Sequence, residues 1–345
     1  MKGLRKYLTP FAPDQSGATS VLYAMGGILV IIDAGGCVGN ICGFDEPRWQ
    51  GAKSAIFSAG LRDMDAILGR DELLVQKLVM AAEQIDAMFV ALIGTPVPAV
   101  IGTDYHALMR MAERKLKMKI LPIDTNGMDL YDNGASKAYF ELVKAFAGQK
   151  ETVKTHSVGI LGCDPLDMSD AQAEEKLLAY YIAQGYEQCY LYGSAETLDW
   201  IENAGQVEKN IVVSPAGLEA ARYLRRKFGT PYEVEDPLGM SYAEKVDIQA
   251  GQQVLVVDQQ VTAGSIRKVL EEKGAKVTVA SWFMMDPELK REGDVRLREE
   301  DDFTELAESG RFDIIIADPV QERMAGAFQG RFLPKNQFSL SGKQN

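Results

Sequence analysis

The stretch ILVIIDAGGCVGN, residues 28 to 40, sets an unbroken apolar run directly against an acid and a glycine-rich turn. A strand with one wet face alternates apolar and polar residues. An unbroken run instead buries both faces, as the strands of a parallel sheet covered by helices do. The same grammar returns in MFVALIG (88–94), KILPID (119–124), VGILG (158–162), CYLYG (189–193), NIVVSP (210–215), VLVVD (254–258), KVTVAS (276–281) and DIIIAD (313–318), with amphipathic segments between. Strands that alternate with helical patterns predict βαβ units. So many strands exceed one open sheet, and the polar stretches at 148–156 and 244–253 each precede a new strand. The expected architecture is α/β, with three doubly wound Rossmann-like domains of mostly parallel sheets at 1–150, 151–247 and 248–345.

The chain has 345 residues, 46% of them hydrophobic, which is enough for a large core. Its 49 acidic side chains outweigh 37 basic ones for a net charge of -12, so the electrostatic footprint of a nucleic-acid or anionic-membrane binder is missing. The N-terminal residues lack the apolar core of a signal peptide and no later run reaches the length of a membrane span, so a cytoplasmic location is expected. Cys37, Cys42, Cys163 and Cys189 are too few for a disulfide scaffold, and any special role they have is as thiolate. Helix punctuation is legible at Ser169 before DAQAEEKLLAYYIAQG, which stops at Gly185, and at Pro215 before AGLEAARYLRRKFG, which stops at Gly229.

Ligands of open α/β sheets gather beyond the carboxyl ends of the strands, so the loops AGGCVGNICG and TPVPAVIGTD carry the strongest expectation of chemistry. Gly35, Gly36 and Gly39 let backbone approach a bulky ligand, with Cys37 partly exposed beside them. Free cysteine is also a common small buried hydrophobe, so spacing alone leaves both roles open. Zinc is disfavoured, because Cys37 and Cys42 are spaced Cys-x4-Cys and neither His106 nor His156 sits at a ligand spacing from them. Asp104 and His106 are candidate proton sources, with helix capping the alternative for Asp104. Arg48 and Trp49 either border a substrate crevice or form a local salt bridge and anchor. VLVVDQQVTAGS looks like the ribose-phosphate loop of phosphoribosyltransferases, over about a dozen residues and with one acid where two are usual.

These loops together carry a resemblance. TPFAPDQSGATSVLYAMGGILVIIDAGGCVGN, TPVPAVIGTD, GSAETLDWIENAGQVEKNIVVSPAGLEAARYLRRKFGTPY and VLVVDQQVTAGSIRKVLEEKGAKV followed by FDIIIAD are similar, in that order, to segments of the nitrogenase component 1 superfamily. The resemblance implies a subunit paired with a second component 1-type subunit, homomeric or heteromeric, with an iron-sulfur cluster of 4Fe-4S type at their interface. It also implies electrons supplied by a separate iron protein that hydrolyses ATP, and a small-molecule substrate. No GxxxxGK[ST] loop occurs here, so ATP enters only through that partner.

Carried over residue by residue, Cys37 matches a cluster cysteine, while Asp14 and Pro96 stand where two others are usual. Aspartate can ligate through oxygen, as in the related light-independent protochlorophyllide reductases, and proline cannot. A cluster shared across a two-fold needs two ligands per subunit, so in a homodimer Cys37 would be completed by Asp14 or by Cys42, whereas a heterodimer could take the missing thiolates from its partner. Nothing matches the cysteine and histidine that hold the large active-site cluster of nitrogenase proper, so dinitrogen is not the expected substrate. Catalytic residues remain unassigned by sequence. The alternatives are a non-catalytic scaffold or carrier for metallocofactor assembly and a cluster-free small-molecule-binding subunit.

Overall fold

Each long apolar run becomes a strand of a parallel sheet in the computed structural model, which describes residues 5–45, 54–62, 71–193 and 198–343. In the first sheet β1 (Ile28–Ile31), β2 (Ala55–Ser58), β3 (Phe89–Ile93) and β4 (Lys119–Ile123) pair in the order β2-β1-β3-β4. The second holds β5 (Lys154–Leu161), β6 (Gln188–Leu191), β7 (Val207–Val212) and β8 (Tyr232–Val234) in the order β6-β5-β7-β8. In the third, β9 (Gln253–Val257), β10 (Lys276–Ser281), β11 (Val295–Arg296), β12 (Ile314–Ala317) and β13 (Arg331–Pro334) run β11-β10-β9-β12-β13. Every pairing among these strands is parallel, as the unbroken runs predict.

The first sheet shows why the runs are unbroken. Leu29, Ile31, Ala91 and Ile93 point to one side, into a cluster with Leu22, Leu142 and Val143. Ile28, Val30, Val90 and Leu92 point to the other, toward Leu74, Leu78 and Leu108. Both faces are therefore covered by helices, and each such side chain contributes roughly 1.5–3 kcal/mol of burial. In all three sheets the strand order reverses beside the first strand laid down, which creates crevices between β1 and β3, β5 and β7, and β9 and β12.

The three sheets are tied together by shared packing. Helix Tyr131–Phe146 and helix Leu218–Phe228 belong to one hydrophobic cluster that spans the first two sheets. Helix Asp14–Leu22, buried along its length, lies across Tyr131–Phe146. The crossing is possible because Gly17 meets the Tyr131 carbonyl and Gly134 meets the Asp14 carbonyl; a Cβ at either would overlap backbone. Ahead of it, Leu8 and Phe11 pack with Trp282, Phe283 and Phe303 of the third sheet's domain. The Glu300 carboxylate there accepts the backbone N–H groups of Lys6, Tyr7 and Leu8.

Helix ends follow the sequence at Gly229 and Gly185, both left-handed with φ of 81° and 91°. One start differs. The helix expected after Ser169 begins at Ala173, because the Ser169 hydroxyl donates across the chain to the Asn336 carbonyl while Asp170 accepts the Gln172 N–H in a preceding turn.

Candidate functional site

The crevice between β1 and β3 collects the loops that follow β1, β3 and β4. The first is not a loose glycine turn. Gly35, with φ of 113°, turns the chain into a short helix, Gly36–Asn40, continued by a wider turn, Ile41–Asp45. Buried Asp33 fixes it: its carboxylate accepts the Val38 N–H at 2.9 Å and the Ser58 hydroxyl at 2.5 Å. Cys37 therefore sits at the end of β1 with its thiol half-buried. A side chain at Gly35, Gly36 or Gly39 would meet only open space, so these glycines leave the surface around Cys37 bare.

Thr95 closes the other side. Its hydroxyl donates to the Ile32 carbonyl at 2.8 Å and is hydrogen-bonded with the Cys37 thiol. Burial pushes that thiol above its usual pKa and the Asp33 carboxylate adds to the effect, while the bond with Thr95 opposes both. By itself Cys37 is a protonated thiol at neutral pH, not an activated nucleophile. After Thr95 the second loop forms helix Pro96–Ile101, ended by left-handed Gly102. Cys42, in the turn after Cys37's helix, is also half-buried.

Asp14 is placed at the same edge but turned inward. It is fully buried, and its two oxygens accept the Asn126 N–H at 2.8 Å and the Gly127 N–H at 2.7 Å. Burial raises its pKa against the pull of those two N–H groups. Left-handed Gly127 in turn lies against the Pro96 ring, where a Cβ would overlap it. Asp14 thus holds the loop after β4 onto the loop after β3. Among the described residues no three His, Cys, Asp or Glu side chains converge on a point that could hold a metal, so Cys37, Cys42 and Asp14 do not form a site within one chain.

Asp104 and His106 lie elsewhere, beside a cavity of about 450 Å³ shared with Asp124, Lys137 and Glu219. Asp104 caps helix Tyr105–Glu113 by accepting the Ala107 N–H at 2.9 Å. That bond, with help from Arg110, holds the carboxyl below its usual pKa, which suits a cap better than a proton donor. Arg48 and Trp49 lie outside the described residues. The phosphate-loop reading of VLVVDQQVTAGS meets a closed structure: the Gln259 side chain accepts the Val261 N–H and donates to the Val213 carbonyl and Thr262 hydroxyl.

Sequence reading did not anticipate the apolar rim. Phe44 is 82% exposed, Val100 85% and Met128 82%, with Val97 and Ile101 also exposed, and they come from the loops after β1, β3 and β4. Their signal was present as large apolar residues inside loops, but nothing in a sequence says which loop residues remain uncovered.

Residues 15–246 match the family model for nitrogenase component 1 type oxidoreductases. The chain belongs to that family. It is 22% identical over 227 residues to a subunit of the light-independent protochlorophyllide reductase of Synechococcus sp. (strain JA-3-3Ab), an alignment covering 62% of this chain and 44% of that protein. It is 26% identical over 181 residues to the nitrogenase iron-molybdenum cofactor biosynthesis protein NifE of Clostridium pasteurianum, covering 51% of this chain and 38% of the relative. The matches thus span less than half of each relative. A solved structure of nitrogenase Cp1 at pH 6.5 superposes with a TM-score of 0.72 at 10% identity, over 97% of this chain and 87% of that one. Another, at pH 5, gives 0.68 at 14% identity, over 100% and 86%. At those identities the likeness is one of fold. No helix among the described residues is long and apolar enough to cross a membrane.

Proposed function

We propose that this chain is a subunit of a nitrogenase-like reductase that holds an iron-sulfur cluster through Cys37 at its interface with a second component 1-type subunit. The observation that carries the reading is the state of the β1/β3 edge. A half-buried thiol stands beside three glycines that face open space, and exposed Phe44, Val100 and Met128 come from the segments that leave the same sheet edge after β1, β3 and β4. Monomers rarely leave such residues grouped at one edge unless another surface covers them. Thiolate is the donor that iron-sulfur clusters take, and binding would expel the Cys37 proton that its surroundings otherwise retain.

The second ligand from each subunit would be Cys42, half-buried in the following turn, or Asp14, whose oxygens also accept two N–H groups. The cluster would supply a one-electron relay between an ATP-hydrolysing iron protein and a small-molecule substrate other than dinitrogen. The protein's own residues would set its surroundings: Thr95 beside the ligating sulfur, Asp33 fixing the Cys37 turn, and Asp14 fixing the loops behind.

The test is iron and sulfide analysis with electron paramagnetic resonance on anaerobically purified wild type and Cys37→Ser, alone and with any co-purifying partner. A reducible iron-sulfur signal that disappears in Cys37→Ser is expected; iron-free wild type with its partner present overturns the reading. The similarity to NifE, a cofactor biosynthesis protein, favours a second reading as a scaffold for metallocofactor assembly. Turnover with an iron protein and reductant separates the two, since a scaffold would hold metal without turnover.

A further inference from the structure

A second cavity, of about 500 Å³, opens between the second and third domains, away from Cys37. Its walls come from the segments following β5, β8, β9 and β13, so it lies at the carboxyl ends of two parallel sheets at once. The volume is that of an ordinary small-molecule site. Met168 and Leu238 give it apolar surface, Tyr180 and Tyr242 give it rings, and three lysines, Lys176, Lys245 and Lys335, line it.

Hydrogen-bond capacity decides what it could take. Three carboxylates in and behind the wall are engaged at both oxygens, while Asp167 keeps one buried oxygen without a partner. Asp170 accepts from the Gln172 N–H and Lys176, and Asp236 from the Leu238 N–H and the Thr262 hydroxyl. Asp258 accepts from the Gln259 N–H and, at 2.6 Å, from Lys335. Of the three ammonium groups, Lys176 is held by Asp170, and the other two are less engaged. Lys335, only 19% exposed, uses one of its three N–H groups on Asp258, and Lys245 has no ion partner among the described residues. Burial works against the Lys335 charge, but the Asp258 carboxylate outweighs it and the pKa is raised. Asp167, the remaining acid of the wall, is driven toward its neutral, donating form by burial and by the charge of Asp164. With Asp167 in its neutral form, the wall's spare hydrogen-bonding capacity is mostly donors, at Lys335 and at Lys245, and a ligand that carries acceptor oxygens matches it.

We propose that this cavity binds a small organic anion, whose carboxylate or phosphate group is held by Lys335 and Lys245 and whose apolar body lies against Met168, Leu238, Tyr180 and Tyr242. The site is separate from the cluster interface and stands whether or not the chain carries iron.

The test is calorimetric titration of the full chain with three probes: 1-naphthylacetate, phenyl phosphate and the neutral 1-naphthylacetamide. Binding of at least one anion at one per chain is expected, with the amide about tenfold weaker or more. The tighter of the two anions identifies the group the lysines prefer. Lys245→Gln should weaken the anion about fivefold and leave the amide unchanged. Ala179→Trp, at an exposed helix position on the wall, should fill the cavity and reduce all binding without altering the far-ultraviolet spectrum. Absence of binding by both anions, an amide as tight as the acid, or anion binding that survives Ala179→Trp would each overturn the proposal.

Discussion

The crevice between β1 and β3 and the crevice between β9 and β12 are the same topological feature, a strand-order reversal at the carboxyl edge of a parallel sheet. The third sheet covers most of its crevice with its own chain. Residues 335–341 run across the edge: Lys335 pairs with Asp258, and Asp318 accepts the Gln337 N–H at 2.7 Å and the Ser341 hydroxyl at 2.8 Å. Gln259 fills the remaining corner with bonds to Val213, Val261 and Thr262. The first domain leaves its crevice open, with bare glycines, a thiol and exposed apolar side chains. Topology therefore supplies the place, and the chain's own side chains decide whether anything else is needed there. The β9/β12 edge is covered from within by its own chain and keeps spare hydrogen-bonding groups at Lys335 and the Gln337 side chain, while the β1/β3 edge stays uncovered and is where the proposed partner subunit would sit.

The contrast can be broken by testing whether the third domain really depends on internal polar pairing. Arg267 and Asp294 form a buried ion pair at 2.7 Å, with side chains 5% and 1% exposed. Arg267→Met leaves the Asp294 carboxylate buried without its cation, and a loss of about 3–5 kcal/mol is expected by urea unfolding. A loss under 1 kcal/mol would show that solvent reaches the pair and that this domain is looser than its bonding suggests.

At the first edge the largest expected effect comes from Asp14. Asp14→Asn puts an NH2 group against one of two backbone donors, so one of the Asn126 and Gly127 N–H groups loses its acceptor, at a cost of about 1–3 kcal/mol. If Asp14 is the brace its geometry describes, iron content per folded chain is unchanged. If the carboxylate ligates the cluster, iron and its paramagnetic signal fall while stability moves little.

Most of the fold was legible because burial on both faces writes itself into sequence as runs such as FVALI and VLVV, and glycines such as Gly229 mark helix ends. The site was legible only in part. Cys37 could be placed at the end of a strand from its neighbours alone, but the inward turn of Asp14 depends on Asn126 and Gly127, 112 and 113 residues away. The start of helix Ala173–Ala183 was missed for the same reason, since Ser169 bonds to Asn336, 167 residues on. Pairings at that range leave no local pattern, and neither does the joint exposure of Phe44, Val100 and Met128, which requires three loops to meet.

The smallest expected effect on stability is the sharpest test of the open edge. Phe44 and Val100 are 82% and 85% exposed, so in the isolated chain they contribute almost nothing to the core. Phe44→Ser with Val100→Ser should therefore leave the unfolding free energy within about 0.5 kcal/mol of wild type. If a second subunit covers this rim, the same two changes remove a large part of the apolar contact, and sedimentation should show the assembly falling to single chains. Iron should be lost with it even though Cys37 and Cys42 are intact, because each subunit alone presents too few ligands to hold a cluster. A double variant that keeps both its partner and its iron would mean that the interface lies on another face and that the exposed rim serves some other contact.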